Sequence, residues 1–272
     1  MRLLQCLFPW RRPQQQKWID VLVDIDDTLV YAGDGILYAP ELLCSYHFAH
    51  GALEFLIALD RIPGVRIGFY SCGAKARNET LIQLISASIK SSGHTLTHGF
   101  VVFSVSDRMY GKKRLADLRD GIDLSRAILV DDAGVNIEAG EEANLLKVYA
   151  NKSFSCTCTH AQEVYQARLA NNLVRALGII LKSIKLSKLS VNSMSVVQAL
   201  QSLQWDGDKY LHDPSNEEEI YKLGLQAMQE VQPDFQLAMV SCATHPWAAL
   251  QANDETLFPQ ERTSVINSRF NC

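Results

Sequence analysis

A short apolar segment of the chain ends in a cluster of carboxylates. Residues 18–23 are followed at once by Asp24, Asp26 and Asp27. Carboxylates this close repel one another and lose water at a strand end, and a bound cation relieves both costs. Ligands that are all oxygen favour Mg²⁺, which binds one or two carboxylates together with water and phosphate oxygens. In an extended chain Asp24 and Asp26 lie on one face, so one can attack while the other transfers a proton. An acidic surface turn is the alternative.

A second acidic pair favours the catalytic interpretation. Asp131 and Asp132 follow the apolar run 127–130, Ser71 follows the run 65–70, and Lys113 precedes the acidic pair. The carboxyl ends of parallel strands lie at one edge of a sheet, where ligands bind. Two acid clusters, a hydroxyl and an ammonium at one edge predict a site for phosphate and a metal ion.

The apolar runs alternate with segments of helical periodicity. The strands are predicted at residues 18–23, 65–70, 100–104, 127–130 and 145–149, and the first two helices at residues 51–60 and 78–89. Strands alternating with helices are typical of a parallel, doubly wound α/β sheet. We therefore predict an α/β fold with that sheet and a minimal cap.

A helical region is predicted to follow the sheet, with helices over residues 160–189, 193–204 and 214–231. We divide the chain into an N-terminal arm (1–16), an α/β domain (17–190) and a helical C-terminal region (191–272). Residues 172–189 carry an apolar stripe and a basic edge. We expect the stripe to pack in the core; peripheral contact with an anionic membrane through the lysines is the alternative.

Composition narrows the class of protein. The 272 residues carry a formal net charge of −4 with acids and bases interspersed, which disfavours a nucleic-acid partner. Seven irregularly spaced cysteines do not form a disulfide framework, so we expect a reducing, cytoplasmic compartment. Cys156, Cys158 and His160 lack the second ligand pair that a zinc site needs, and we expect free thiols there.

These motifs resemble those of the haloacid dehalogenase (HAD) superfamily. Residues 24–28, DIDDT, resemble motif I (DxDx[TV]), Ser71 fits motif II, and Asp131-Asp132 fits the "DD" form of motif IV. Within the superfamily the chain is similar to the FCP/SCP-type, or NLI-interacting-factor-like, phosphatases. The similarity there lies in residues 49–56 (AHGALEFL), in Lys113 with its following leucines, and in residues 123–126 (DLSR). Ala49-His50 stands where that family has Arg-Pro.

The resemblance implies a mechanism. Asp24 would attack phosphorus to form an aspartyl-phosphate, and Asp26 would act as acid and then base. Mg²⁺ would bind Asp24, the backbone carbonyl of Asp26, and Asp131 or Asp132. The resemblance also implies that Ser71 and Lys113 stabilise charge on the phosphoryl group, with Lys112 as the alternative to Lys113. It implies supporting roles in the motifs for Thr28, Asp27 and Cys72.

The substrate class follows from the short segments between the motifs. They leave no room for a large cap domain, so we expect an open site that accepts a phosphorylated protein side chain. FCP/SCP members are mostly serine-directed, whereas some bacterial effectors that look like this family are tyrosine-directed and would be translocated into a host cell. The alternatives are a small-molecule phosphatase or phosphotransferase of the superfamily, a non-catalytic module, and a cysteine enzyme that uses the loop at residues 71–77.

Overall fold

A computed structural model describes residues 18–40, 42, 44–97, 101–104, 112–118, 122–150, 170–190, 193–203 and 216–238. The predicted N-terminal arm at 1–16 and the Cys156–His160 segment lie outside these residues, as does the chain after residue 238. Within the described residues the predicted α/β fold class is confirmed.

The centre of the described fold is a parallel sheet of five strands. Its strands are β1 (Ile19–Val23), β4 (Val65–Ser71), β5 (Val101–Ser104), β6 (Ala127–Asp131) and β7 (Leu145–Lys147). Their order is β5-β4-β1-β6-β7, so β1 lies between β4 and β6 and is buried throughout. Each strand begins and ends close to its predicted limits, and the apolar runs of β1 and β6 are buried throughout.

A two-stranded antiparallel hairpin lies beside this sheet and is not predicted from the sequence. Its strands are β2 (Val30–Leu37) and β3 (Tyr46–Phe48), and the register shifts between Ala32 and Leu37. Two glycines in β2 and a three-residue partner strand provide little of the alternation from which a strand is predicted. The hairpin begins at Val30, and its base is closed by the amide of Ala49, which donates to the carbonyl of Leu29 at 2.8 Å.

Five α-helices of the described chain pack against the sheet: α1 (Ala52–Arg61), α2 (Lys75–Ser91), α3 (Asn172–Leu189), α4 (Val196–Gln201) and α5 (Glu217–Val231). All of them contribute side chains to one apolar cluster that includes Val21 and Val23 of β1. A second cluster on the opposite face is built around Leu22, Tyr70 and Leu129. The alternation of Val21, Leu22 and Val23 between these clusters is the period of a strand.

Helix α3 lies in the core, as expected from its apolar stripe. Most of its residues are buried. Lys182, on the predicted basic edge, is buried too and donates to Glu219 of α5 at 2.8 Å. Lys185 and Lys188 remain exposed. Among the described residues no helix is long and apolar enough to cross a membrane.

The C-terminal helices share the core of the sheet. Buried residues of α4 and α5 belong to the same apolar cluster as β1, and so does Phe235 beyond α5. The segment after α5 is bonded to distant parts of the chain: the Asn171 amide group pairs with the backbone of Ala238, and a ring nitrogen of His50 lies 2.9 Å from the carbonyl oxygen of Gln236. Described residues up to 238 thus pack with the α/β unit.

Candidate active site

The carboxyl end of β1 carries a buried carboxylate that is paired with a buried ammonium. Asp24 follows β1 directly, and its amide donates to the carbonyl of Val130 in β6 at 2.9 Å. Lys113 donates from Nζ to Asp24 Oδ1 at 2.7 Å and to Asp131 Oδ2. Asp24 is 4% exposed, and Lys113 and Asp131 are fully buried. The ammonium thus links the carboxylates at the ends of two adjacent strands.

Lys113, and not Lys112, occupies this position. Two backbone hydrogen bonds hold Lys113 to the chain after β6. Its amide donates to the carbonyl of Asn136, and its carbonyl accepts from the amide of Glu138. Lys112 is exposed. The buried Glu141 accepts from the amides of Leu115 and Ala116 at 2.6 and 3.0 Å, and so anchors the turn that follows Lys113. Burial alone would lower the pKa of the Lys113 ammonium, but the two carboxylates outweigh it and raise that pKa above its usual value.

Three carboxylates converge at this edge of the sheet. Asp24, Asp131 and Asp132 each offer an oxygen, and these oxygens lie within 4.8 Å of one another. Burial, with the charge of Asp131, raises the pKa of Asp24 to about 8 and that of Asp132 to about 6. Both shifts arise because negative charge is concentrated where water is excluded. A hard cation with oxygen ligands would relieve that cost, so this donor set fits Mg²⁺.

The loop of motif I is held in a tight turn. Asp27 has a φ of 54°, a left-handed conformation that aspartate tolerates better than most residues. Its amide donates to the carbonyl of Val30 at 2.7 Å, and the amides of Leu29 and Val30 both donate to Ile25. Thr28 is fully buried within this turn. The turn directs the backbone from β1 into the hairpin.

The carboxylate of Asp26 is bound by a residue of helix α2. Both of its carboxylate oxygens accept from Arg77, with Nη1 at 3.0 Å from Oδ2 and Nη2 on Oδ1. The Ser71 hydroxyl, at the end of β4, donates to Asp26 Oδ2 at 3.4 Å and accepts from the amide of Gly73 at 3.1 Å. The predicted carbonyl ligand at Asp26 remains a prediction, and its carboxylate is not part of the cluster of three acids.

Arg77 is a site residue that the sequence does not predict. In the sequence it indicates only that residues 71–77 resemble a phosphate-binding cysteine loop. Its Nε donates to the hydroxyl of Tyr46 at 3.0 Å, and its guanidinium lies 5.2 Å from the centre of that ring. Tyr46 belongs to the hairpin, which is also not predicted. The one local signal for the position of Arg77 is Gly73, since a Cβ atom at residue 73 would come within 2.4 Å of Arg77 Nη1.

Cys72 follows Ser71 at the mouth of the site. The residue is exposed, yet partial desolvation of the thiol raises its pKa. The positive charge of Lys113 opposes this rise, and the negative charges of Asp24 and Asp131 add to it. A thiol of this kind stays protonated near neutral pH and is a weak nucleophile. This raised pKa disfavours the cysteine-enzyme alternative.

The groups at this edge can supply a nucleophile, a proton and the ligands of a cation. One carboxylate is buried and paired with an ammonium, a second lies beside a hydroxyl, and three acids are placed to share a cation. An α/β protein with this site is equipped to transfer a phosphoryl group to a side-chain oxygen and then to water.

No protein-family model matches the chain, and no curated protein matches it. The solved structures that are similar to it include two of Fcp1, an RNA polymerase II CTD phosphatase. One of them is an arginine-to-alanine variant of the fission yeast protein bound to beryllium fluoride. Each is 16% identical, with a TM-score of 0.40, and the match covers 83% of this chain and 69% of that chain. What the chain does is therefore inferred from the geometry of its own site.

Proposed function

We propose that the protein is a Mg²⁺-dependent phosphatase of the HAD type that hydrolyses phosphorylated protein side chains. The observation that carries this proposal is the pairing of Asp24 with Lys113 beside Asp131 and Asp132. These three acids against one ammonium leave the site with excess negative charge, which would repel a phosphate dianion. A divalent cation held by Asp24, Asp131 and Asp132 would offset that excess, and it would supply charge neutralisation for the phosphoryl oxygens.

The reaction proceeds in two displacements. Lys113 bonds to Oδ1 of Asp24 and holds the carboxylate in place, so we assign the attack to Oδ2. The Oδ2–phosphorus bond forms as the bond to the leaving oxygen breaks. Asp26 enters this step in its protonated form and gives its proton to the leaving oxygen, which leaves the carboxylate that Arg77 binds. Water then attacks phosphorus, gives its proton to Asp26, and releases Asp24 and inorganic phosphate. Ser71 and Lys113 stabilise the transferring group.

The connections between the site residues support a phosphorylated protein side chain as the substrate class. From Asp27 to Ser71 the described chain forms the hairpin, helix α1 and strand β4, without a separate cap domain. Over this described stretch the edge is left without a cap, which gives access to a side chain presented on a protein surface. Phosphotyrosine, phosphoserine and phosphothreonine are all candidates, and a cytoplasmic phosphoprotein is the partner we propose.

The test is phosphate release by the purified protein. Phosphotyrosine, phosphoserine and phosphothreonine peptides are compared with sugar phosphates, in Mg²⁺ and in EDTA. We expect Mg²⁺-dependent release from at least one peptide and much less from the sugars. Release only from sugars would point to a small-molecule phosphatase, and release from nothing, with a folded protein, would contradict the enzyme assignment.

A matched pair of variants ties the activity to the site. Asp24→Asn should remove turnover, because an amide is a far poorer nucleophile than a carboxylate. Asp20→Asn is the control: this residue is also a buried aspartate, but it lies near the start of β1 and pairs with Arg66. Activity in Asp20→Asn and none in Asp24→Asn is the expected result, and equal losses would contradict a specific role for Asp24.

A further inference from the structure

The guanidinium of Arg77 has a partner on each of its three nitrogens. Nε donates to the Tyr46 hydroxyl at 3.0 Å, Nη1 donates to Asp26 Oδ2 and to Asn78 Oδ1, and Nη2 donates to Asp26 Oδ1. The Arg77 side chain is 19% exposed, against 41% for that of Asp26. The more buried partner is therefore the arginine, which fixes the more exposed carboxylate.

Asn78 and Gly73 restrict the side chain of Arg77. Asn78 is fully buried and donates to the carbonyl of Gly73 and to the Ser104 hydroxyl, both at 3.0 Å. Its Oδ1 is thereby aimed at Arg77. Gly73 leaves the space that the guanidinium fills, since a Cβ atom there would come within 2.4 Å of Nη1. An arginine placed this way has lost its rotamer freedom before it meets the carboxylate.

A carboxylate on a turn needs such support for proton transfer. The terminal torsion of aspartate is broad, so an unsupported Asp26 would rotate and spend little time in the reactive orientation. Two parallel hydrogen bonds from a planar guanidinium fix the plane of the carboxylate. The same contact places Oδ2 beside Ser71, at the end of β4.

We propose that Arg77 is a positioning residue that fixes the carboxylate of Asp26 for proton transfer, and that Tyr46 holds Arg77 from the hairpin. This inference rests on the proposed phosphatase function and adds two residues to it. The competing role is direct binding of substrate phosphate by Arg77. The two roles differ in whether the effect of Arg77 depends on Asp26.

A double-mutant cycle separates them. Rates of phosphopeptide hydrolysis in Mg²⁺ are measured for Arg77→Ala, Asp26→Asn and the double variant. Losing hydrogen bonds to a charged group should lower kcat about 10- to 100-fold in Arg77→Ala, with KM changed less than about 3-fold. In the Asp26→Asn background, Arg77→Ala should lower kcat by less than about 3-fold, because the effects of coupled residues are non-additive.

Leaving-group dependence provides a readout that a structural role would not move. The loss in Arg77→Ala should be smaller for nitrophenyl phosphate than for a phosphoserine peptide, since a good leaving group needs little protonation. Tyr46→Phe should lower kcat about 10-fold in the native background and have no further effect in Arg77→Ala. Arg66→Ala is the control, because that arginine also pairs with an aspartate, away from the site.

The outcomes are distinct. Equal losses from Arg77→Ala in both backgrounds would overturn the positioning role in favour of phosphate binding, and no loss would overturn any role. If Arg77→Ala does not fold, Arg77→Lys, which keeps the charge but lacks the fork, is measured in both backgrounds under the same criteria. A folded native protein that hydrolyses nothing would remove the proposed function and this inference together.

Discussion

The guanidinium of Arg77 donates one hydrogen bond to each carboxylate oxygen of Asp26, although 51 positions separate the two residues in the sequence. Asp24 and Asp131 pair instead with the ammonium of Lys113. The two motif I acids therefore lie in different surroundings: Asp24 is buried among acids with one ammonium, and Asp26 is partly exposed beside a guanidinium. Different surroundings allow two carboxylates to take different roles in one reaction.

Replacing Asp26 should affect substrates unequally. Asp26→Asn keeps the shape of the side chain but cannot transfer a proton, so turnover should fall by roughly two to four orders of magnitude. The fall should be smaller for nitrophenyl phosphate than for phosphopeptides, which have poorer leaving groups. Steady-state rates over a series of leaving groups measure this. A loss that is the same for every leaving group would assign Asp26 to metal binding instead.

The Cys72 thiol should be unreactive near neutral pH. Its pKa is raised above the ordinary value for cysteine, so the thiolate forms only at higher pH than usual. We expect iodoacetamide to alkylate Cys72 more slowly than a cysteine in an unstructured peptide at neutral pH, as followed by mass spectrometry of the peptides. Cys72→Ser should also remain active in Mg²⁺. Fast alkylation at neutral pH, or loss of activity in Cys72→Ser, would restore the cysteine alternative.

Glu141 should be required to place Lys113. Its carboxylate accepts from two backbone amides of the turn after Lys113, and its loss would leave donors unsatisfied at a cost of about 1–3 kcal/mol. Glu141→Ala should therefore lower both the free energy of unfolding and kcat. The exposed neighbouring Glu142→Ala is the control and should change neither greatly. Denaturant unfolding and steady-state rates are the measurements, and native kcat in Glu141→Ala would contradict this positioning.

The contact between α3 and α5 should not accept a methyl group. A Cβ atom at Gly178 would lie 1.9 Å from the carbonyl oxygen of Ile220. In an exposed helix the change from glycine to alanine stabilises by about 1 kcal/mol, whereas here overpacking should destabilise by about 1–3 kcal/mol. The measurement is the change in unfolding free energy of Gly178→Ala, with the exposed Lys185→Ala as the reference, and its sign tests the contact. A stabilised Gly178→Ala would show that the two helices are not in this contact.

Much of the fold can be predicted where the signal in the sequence is local. The strands come from continuous apolar runs, and Asp24, Ser71 and Asp131 can be placed because each lies at the end of a run that defines an edge of the sheet. Helix α3 can be assigned to the core because its stripe is regular. Lys113 is distinguished from Lys112 only in the structure, since burial and pairing depend on contacts with residues after β6.

The hairpin and the position of Arg77 depend on distant contacts. Arg77 lies in the first turn of α2, where an arginine is ordinarily exposed, and nothing local indicates that Asp26 and Tyr46 meet it. Tyr46 belongs to a strand of three residues, which is too short to show alternation. Only Gly73 marks the close approach, and glycines are common in turns before helices where no such contact exists.

The most direct test of the proposed mechanism is to trap phosphate on Asp24. The protein is mixed with a radiolabelled phosphopeptide in Mg²⁺, quenched in acid within a turnover, digested, and the labelled peptide is identified by mass spectrometry. We predict label on the peptide that contains Asp24, released by hydroxylamine as an acyl phosphate, and absent from Asp24→Asn. Rapid phosphate release by the native protein with no acid-stable, hydroxylamine-sensitive label, or with label retained in Asp24→Asn, would contradict Asp24 as the nucleophile.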